Sequence, residues 1–242
     1  AQIKFNNPTL AIINSILRIL LMKNNYNYAD KVLNRSIRID MNSFTVSELA
    51  NFYFFKGKVD MIYGKRNSAY QEFKKSLQYL PLECHNDRRL VLLHFIPVSL
   101  SFGQVPTDEL LRNYGLYDLY SGFAESVSTG NLVLFNKSLN DHQLILIHYG
   151  VWEMIILSQK IVLRRILEMV KEEYNNNKVP IEAFHQALCL SGDEFSFEDT
   201  VLILSNLISD GLVMAYVVYQ SKYIVFKTSG TFALPNPEDE ED

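Results

Sequence analysis

The hydrophobic period of this chain changes once along its 242 residues. From residue 8 to about 175 apolar side chains recur every three or four positions, the spacing of helices with one buried face. After Gly211 they come as two short runs rich in Val, Ile, Tyr and Phe, 212–219 and 223–228, around the tripeptide QSK. That order predicts a mostly α fold, an array of helices that ends on one small β-hairpin, and leaves no room for a large sheet.

Within the array, NPTLAIINSILRILLM and NYADKVLNRSIRI are helical by spacing, and residues 47–81 fit a repeat template. Tyr53, Gly57, Ala69, Phe73 and Pro81 fall on the aromatic, small, small, aromatic and proline offsets of a tetratricopeptide unit, whereas Lys56 and Asp60 replace its Leu and Tyr. The small residues are expected where two antiparallel helices cross closely, and Pro81 stops the second. One such unit cannot bury its apolar face alone, so further helices must stack on it. They are expected at 86–102, 107–114, 116–128, 130–140 and, as one long helix, 142–174, with Pro97 kinking the first and connectors at 103–106, Gly115 and Thr129–Gly130.

After NNNK at 175–178 a short extended piece leads to a helix with Pro180 in its first turn, then SGDEF and a second helix, SFEDTVLILSNLISD. Ser196 and Asp199 form a capping box at its start, and Gly211 ends it. Helix, strand, helix, helix, hairpin is the order of a winged helix, with the hairpin as the wing. The expected organisation is therefore a tetratricopeptide-like region over 1–160, a winged helix over 161–230 and an acidic flexible tail over 231–242.

Charge is unevenly placed. Residues 1–90 carry 14 Lys and Arg against 7 Asp and Glu, residues 161–230 carry 6 against 9, and the tail PNPEDEED adds five negative charges. A polyanion would meet the first third of the chain. Two cysteines 105 positions apart, Cys84 and Cys189, give no disulfide framework and fit a reducing compartment, in which the sequons at Asn34 and Asn136 carry no meaning. The longest apolar stretch, 142–163, holds His, Glu, Gln and Lys, so a buried helix and no membrane contact are expected. The start, AQIKFNNPTL, lacks a signal-peptide pattern and has the look of a fragment or processed end.

No constellation for catalysis is found: no GxSxG, HExxH, P-loop or GxGxxG occurs. The five histidines are scattered, and His142 and His148 are too far apart for one helix face. No catalytic residue, metal or cofactor is therefore expected. In a DNA-reading winged helix the second helix of the motif presents cations to the groove. Here its polar face is Glu198, Asp199, Thr200, Ser205, Asn206 and Ser209, which repels phosphate. RNA or another single-stranded nucleic acid would instead meet Lys74, Lys75, Arg88 and Arg89 on the array and Lys222 and Lys227 on the wing, through phosphates. The first wing strand is apolar on both faces, Val213, Ala215 and Val217 on one and Met214, Tyr216 and Val218 on the other. One face covers the helices. The other must cover something else, either a partner or the preceding array.

A helical repeat array capped by a winged helix resembles the PCI domain of scaffold subunits in the proteasome lid, the signalosome and a translation-initiation complex. Residues 179–227, with an L-I-x-D-G helix end and an A-Y-x-x-x-x-x-K wing, are similar to the PCI winged-helix pattern. LLHFIPVSLSFGQVPTDELL at 92–111 and ESVSTGNLVLFNKSLNDHQ at 125–143 resemble segments of the nuclear mRNA-export subgroup. The tail departs from that subgroup's Pro-Phe-Pro ending, and the abrupt start of the array suggests further N-terminal repeats.

The resemblance implies a non-catalytic scaffold of a nuclear complex coupling transcription to mRNA export at the nuclear pore, with the cytoplasm as a second compartment. It implies a second PCI protein docked on Tyr216, Val218, Tyr219, Tyr223 and Val225, a composite RNA-binding surface, and a small acidic disordered subunit suited to the basic first third. A signalosome or proteasome-lid-like scaffold, and a stand-alone winged-helix DNA-binding protein, remain as alternatives.

Overall fold

The computed structural model describes residues 9–36, 44–174, 176–190, 195–228 and 230–238. The second helix beyond residue 36, the connector residues 191–194 and the last four acidic residues lie outside them. The described residues fall into two compact units: those of 1–98 together with 237–242, and those of 99–236.

The first unit is built from α1 (Thr9–Met22), α2 (Tyr26–Ser36), α3 (Val46–Ile62), α4 (Arg66–Tyr79) and most of α5 (His85–Ser101). α3 begins at a capping box not singled out in the sequence, in which Thr45 and Glu48 satisfy each other's backbone amides. α3 and α4 pack as an antiparallel pair, and the crossing is set by Gly57: a Cβ there would lie 2.9 Å from the ring of Phe73, itself fully buried. The tetratricopeptide-like offsets therefore correspond to a real close approach. Tyr53 stacks on Tyr79 near the far end, 5.6 Å between ring centroids. The carbonyls of Leu77 and Leu80, at the end of α4, accept from Arg88 at 3.0 and 2.7 Å. α5 runs through Pro97 without interruption and places His94 between the rings of Phe54 and Phe73.

The second unit holds α6 (Asp108–Asn113), α7 (Tyr117–Thr129), α8 (Leu132–Tyr149) and α9 (Trp152–Glu172), followed by β1 (Lys178–Pro180), α10 (Ile181–Cys189), α11 (Phe197–Ser209), β2 (Ala215–Val218) and β3 (Tyr223–Phe226). Two helix boundaries differ from those expected. The helix expected at 130–140 continues to Tyr149, and the expected helix 142–174 is broken at Gly150, which adopts φ 70° as a left-handed cap before α9 begins. An apolar run across HYGVW masks the break, because neither side of it loses its helical spacing. α9 then runs unbroken across residue 160, with α7 and α8 against it and α10 packed on it as well.

Helix, strand, helix, helix, hairpin is observed, the arrangement of a winged helix. The sheet order is β1-β3-β2, all antiparallel. Ser196 and Asp199 form the expected capping box of α11. Asp210, just past its end, accepts from Lys160 of α9 at 2.6 Å. Residues 231–236, expected as the start of a flexible tail, are packed instead. Met214 donates to the Thr231 carbonyl at 2.8 Å, Phe232 bridges Val213 and lies 5.6 Å from the Phe226 ring, and the Ala233 carbonyl accepts from Arg164 at 3.2 Å. An apolar segment, TFAL, precedes the acidic residues, and Thr231, Phe232 and Ala233 within it are half-buried while Leu234 stays exposed.

Candidate functional site

The three-stranded sheet has one face buried and one free. β2 and β3 form because branched and aromatic residues favour a pleated surface, and the turn between them is a tight one, Tyr219–Ser221, closed by Lys222 at φ 55°. The Lys222 carbonyl accepts from the backbone of Ile181 at 3.0 Å, which ties the wing tip to the start of α10. Register then decides the faces. Val179, Ile224 and Phe226 point inward and are buried, with Val217 and Ala215 beside them.

The outward face consists of two cross-strand rows. Lys178, Val225 and Tyr216 form one, and Pro180, Tyr223 and Val218 the other. Tyr216 is 60% exposed, Met214 extends the face at 41%, and Tyr219 stands at the wing turn at 59%. Four of the five residues expected to make an interface, Tyr216, Val218, Tyr223 and Val225, are thus adjacent on one surface, and Tyr219 flanks it. Lys178 and Pro180 were missed, because their place opposite Val225 and Tyr223 depends on a pairing more than forty residues distant in sequence. The Lys178 ammonium lies 4.2 Å over the Tyr223 ring. β2 is an edge strand, paired only with β3. An exposed edge beside an apolar face is a surface that natural sheets normally cover or blunt.

The candidate nucleic-acid cations fall in both units, four in the first and two in the second. In the first unit Lys74 pairs with Glu238 at 3.1 Å, and Lys75 pairs with Glu72 at 3.0 Å while lying 5.4 Å over the Tyr53 ring. Arg88 is committed to the end of α4, and Arg89 is half-buried. Three of those four cations therefore have intramolecular partners. Glu72 is the cause for Lys75: it is buried, and it also accepts from Lys56 at 2.9 Å. Lys222 and Lys227, in the second unit, are exposed and hold no ion pair among the described residues. Lys222 lies 5.0 Å over Phe197, and the Lys227 ammonium is 3.8 Å from the sulphur of Met214.

α11 exposes Glu198, Asp199, Leu202, Ser205, Asn206 and Ser209 and carries no cation. Thr200, expected on that polar face, is fully buried instead. The Asp199 carboxyl is held below the usual carboxylate range by hydrogen bonds from the Ser196 side chain and backbone, so the helix start stays anionic. Titration elsewhere is structural in origin. Burial pushes the Asp60 carboxyl up despite a 2.7 Å hydrogen bond from Ser68, and it pushes the Lys58 ammonium down. Among the described residues no group of three or more His, Cys, Asp and Glu is placed to hold a metal ion, and no helix is long and apolar enough to cross a membrane.

Residues 137–228 match the PCI domain family. The chain is also similar to a PCI domain-containing protein 2 homolog of Dictyostelium discoideum, 25% identical over 233 residues, 95% of this chain and 54% of that protein. PCI domain-containing protein 2 of Danio rerio is 24% identical over 92% of this chain and 56% of its own length. Enhanced ethylene response protein 5 of Arabidopsis thaliana is 25% identical over 80% of this chain and 48% of its own. The chain spans about half the length of these relatives. The winged helix that presents the sheet face described above lies within the residues that match this family.

Proposed function

We propose that this chain is a non-catalytic PCI scaffold subunit that docks a second PCI protein through its winged helix, within a nuclear complex that couples transcription to mRNA export at the nuclear pore. The observation that carries the reading is the outward sheet face. Tyr216, Val218, Tyr223 and Val225 form an apolar surface beside an edge strand, with Tyr216 exposed and the other three half-buried. Docking there would bury aromatic anchors and satisfy edge backbone groups together. The resemblance of residues 92–111 and 125–143 to the mRNA-export subgroup supports the choice of complex, and the names of the curated relatives agree with a PCI protein.

Tyr216→Asp with Val218→Asp tests the docking. Tyr216 is exposed and Val218 half-buried, so the isolated chain should keep its circular dichroism and melting temperature. Affinity for a co-purified PCI partner should fall at least about thirtyfold, the scale of losing one interface hot spot. An unchanged co-purification profile from nuclear extract refutes the docking face. Identifying the chains that co-purify with the unmodified protein tests the complex, and the same experiment reads out whether a small acidic subunit accompanies it. RNA contact, in this proposal, runs through phosphates at Lys222 and Lys227 on a surface shared with the partner, since α11 offers no cation.

A further inference from the structure

Two tyrosine rings stand in water where the first unit turns from α1 to α2 and from α3 to α4. Tyr28 of α2 is 59% exposed, and Tyr63, just past the end of α3, is 43% exposed. Single exposed aromatics are ordinary, but these two are tied together. The Tyr63 hydroxyl donates to Asn27 Oδ1 at 2.7 Å across 36 positions of sequence. The α3–α4 turn is thereby held to the start of α2, and the two rings share one surface. Each ring has its own cation. The Lys31 ammonium lies 5.1 Å from the Tyr28 ring centroid, and the Lys65 ammonium lies 5.9 Å from that of Tyr63.

The spacing along α2 extends this surface. Tyr28, Lys31 and Arg35 follow one another at three- and four-residue steps, so one exposed helix face carries a ring and two cations. Lys23, in the turn before α2, is exposed as well. Lys23, Lys31, Arg35 and Lys65 hold no ion pair among the described residues, in contrast with Lys74 and Lys75 on α4. The carboxylates nearby are already engaged. Asp30 of α2 is half-buried and accepts from Asn34 at 2.9 Å, and Asp60, which acts on Lys65 through space, is buried and accepts from Ser68 at 2.7 Å. Positive charge is therefore in excess here, and it is interleaved with flat rings.

That combination discriminates among polyanions. An acidic polypeptide would engage the cations and give the rings nothing planar to stack on. A duplex hides its base faces inside the helix. A single strand uses both features, with its bases on the π-faces and its phosphates on the ammonium and guanidinium groups. We propose that Tyr28 and Tyr63, with Lys23, Lys31, Arg35 and Lys65 around them, form a binding platform for single-stranded nucleic acid in the first unit. It is a different site from the Lys222 and Lys227 contacts of the wing, which belong to the second unit. It tolerates any sequence, because every base has a face to stack. All six of its residues belong to one unit of this chain, so it binds without a partner protein.

The test titrates the 242-residue chain into fluorescein-labelled oligouridine of about ten nucleotides, a length that one such platform covers, and follows anisotropy. The parent chain carries Lys222→Glu and Lys227→Glu, so that the wing does not contribute. Tyr28→Ala removes an exposed ring and should leave circular dichroism unchanged while weakening binding about tenfold at an unaltered salt slope. Tyr28→Phe keeps the ring and should restore the parent affinity. Lys31→Glu with Lys65→Glu should weaken binding and flatten the log–log salt slope by roughly 0.7 for each phosphate lost. A parallel titration with oligothymidine tells RNA from DNA as the strand. Parent affinity retained in Tyr28→Ala overturns the proposal. So does polyglutamate of equal charge that competes as well as unlabelled oligouridine, or binding to phosphatidylserine vesicles with none to either oligonucleotide.

Discussion

Replacing Gly57 by Ala sets two well-understood effects against each other in the middle of α3. Helix propensity favours the change by about 1 kcal/mol, since glycine is the costlier residue in a helix interior. Packing opposes it. The new Cβ would lie 2.9 Å from Cδ1 and Cε1 of Phe73, where ordinary contact begins near 3.4 Å, so the ring or the helix must retreat by 0.5 Å or more. Phe73 is fully buried, with Phe54 and His94 each 6.2 Å away between ring centroids, so the ring must push on its neighbours. Overpacking of this kind costs about 1–3 kcal/mol. The expected outcome is a net loss of about 1 kcal/mol in urea unfolding followed by circular dichroism. Phe73→Leu makes room for the methyl, so the double variant should lose about 1 kcal/mol less than the sum of the two single changes. A Gly57→Ala chain more stable than wild type, or strictly additive losses, would show that α3 and α4 do not cross on this glycine.

Arg88→Ala removes two charge-assisted hydrogen bonds to the end of α4 and should cost about 1–2 kcal/mol by thermal or urea unfolding, with Arg88→Lys recovering part of it. Asp60 has its carboxyl raised by burial above the ordinary 3.8, so its folded form binds a proton more readily than the unfolded chain. Its contribution therefore improves as pH falls toward the ordinary carboxylate range, and Asp60→Asn should stabilise the chain at pH 7 with a gain that shrinks on acidification. For RNA bound to the chain with its partner, Lys222→Glu with Lys227→Glu should weaken binding and flatten its salt dependence by roughly 0.7 log units for each phosphate no longer held. Changing Ser205 and Asn206 should leave that binding unaltered, and a duplex-sequence preference controlled by those two would favour DNA readout.

Elements whose signals are local were legible in the sequence. The capping box at Ser196 and Asp199, the tetratricopeptide-like contact of Gly57 with Phe73 and the two wing strands each depend on residues a few positions apart, or on a template that already encodes the pairing. The break at Gly150 was not, because a left-handed glycine between two in-phase apolar helices leaves the periodicity intact. Nor was the packing of residues 231–233, which are half-buried. Their anchor is the Arg164 side chain, 69 residues away, and composition alone weighted the acidic residues at the end of the chain.

The candidate site divides along the same physical line. Alternation along β2 put Tyr216 and Val218 on one face without reference to any partner strand, and a hairpin of this length fixed Val225 and Tyr223 opposite them. The cations were not legible, because a Lys or Arg is available to a ligand only if nothing in its own fold has claimed it. Glu72 claims Lys75, Glu238 pairs with Lys74, and the carbonyls of Leu77 and Leu80 claim Arg88, all through contacts that sequence position does not announce. Lys74 and Lys75 are each close to half exposed, so their ion pairs are weak in water and a phosphate can compete for them. Arg88 differs in kind. Turning it to a ligand would strip two backbone carbonyls of their donor, and that cost sets it apart from the other cations as a structural residue.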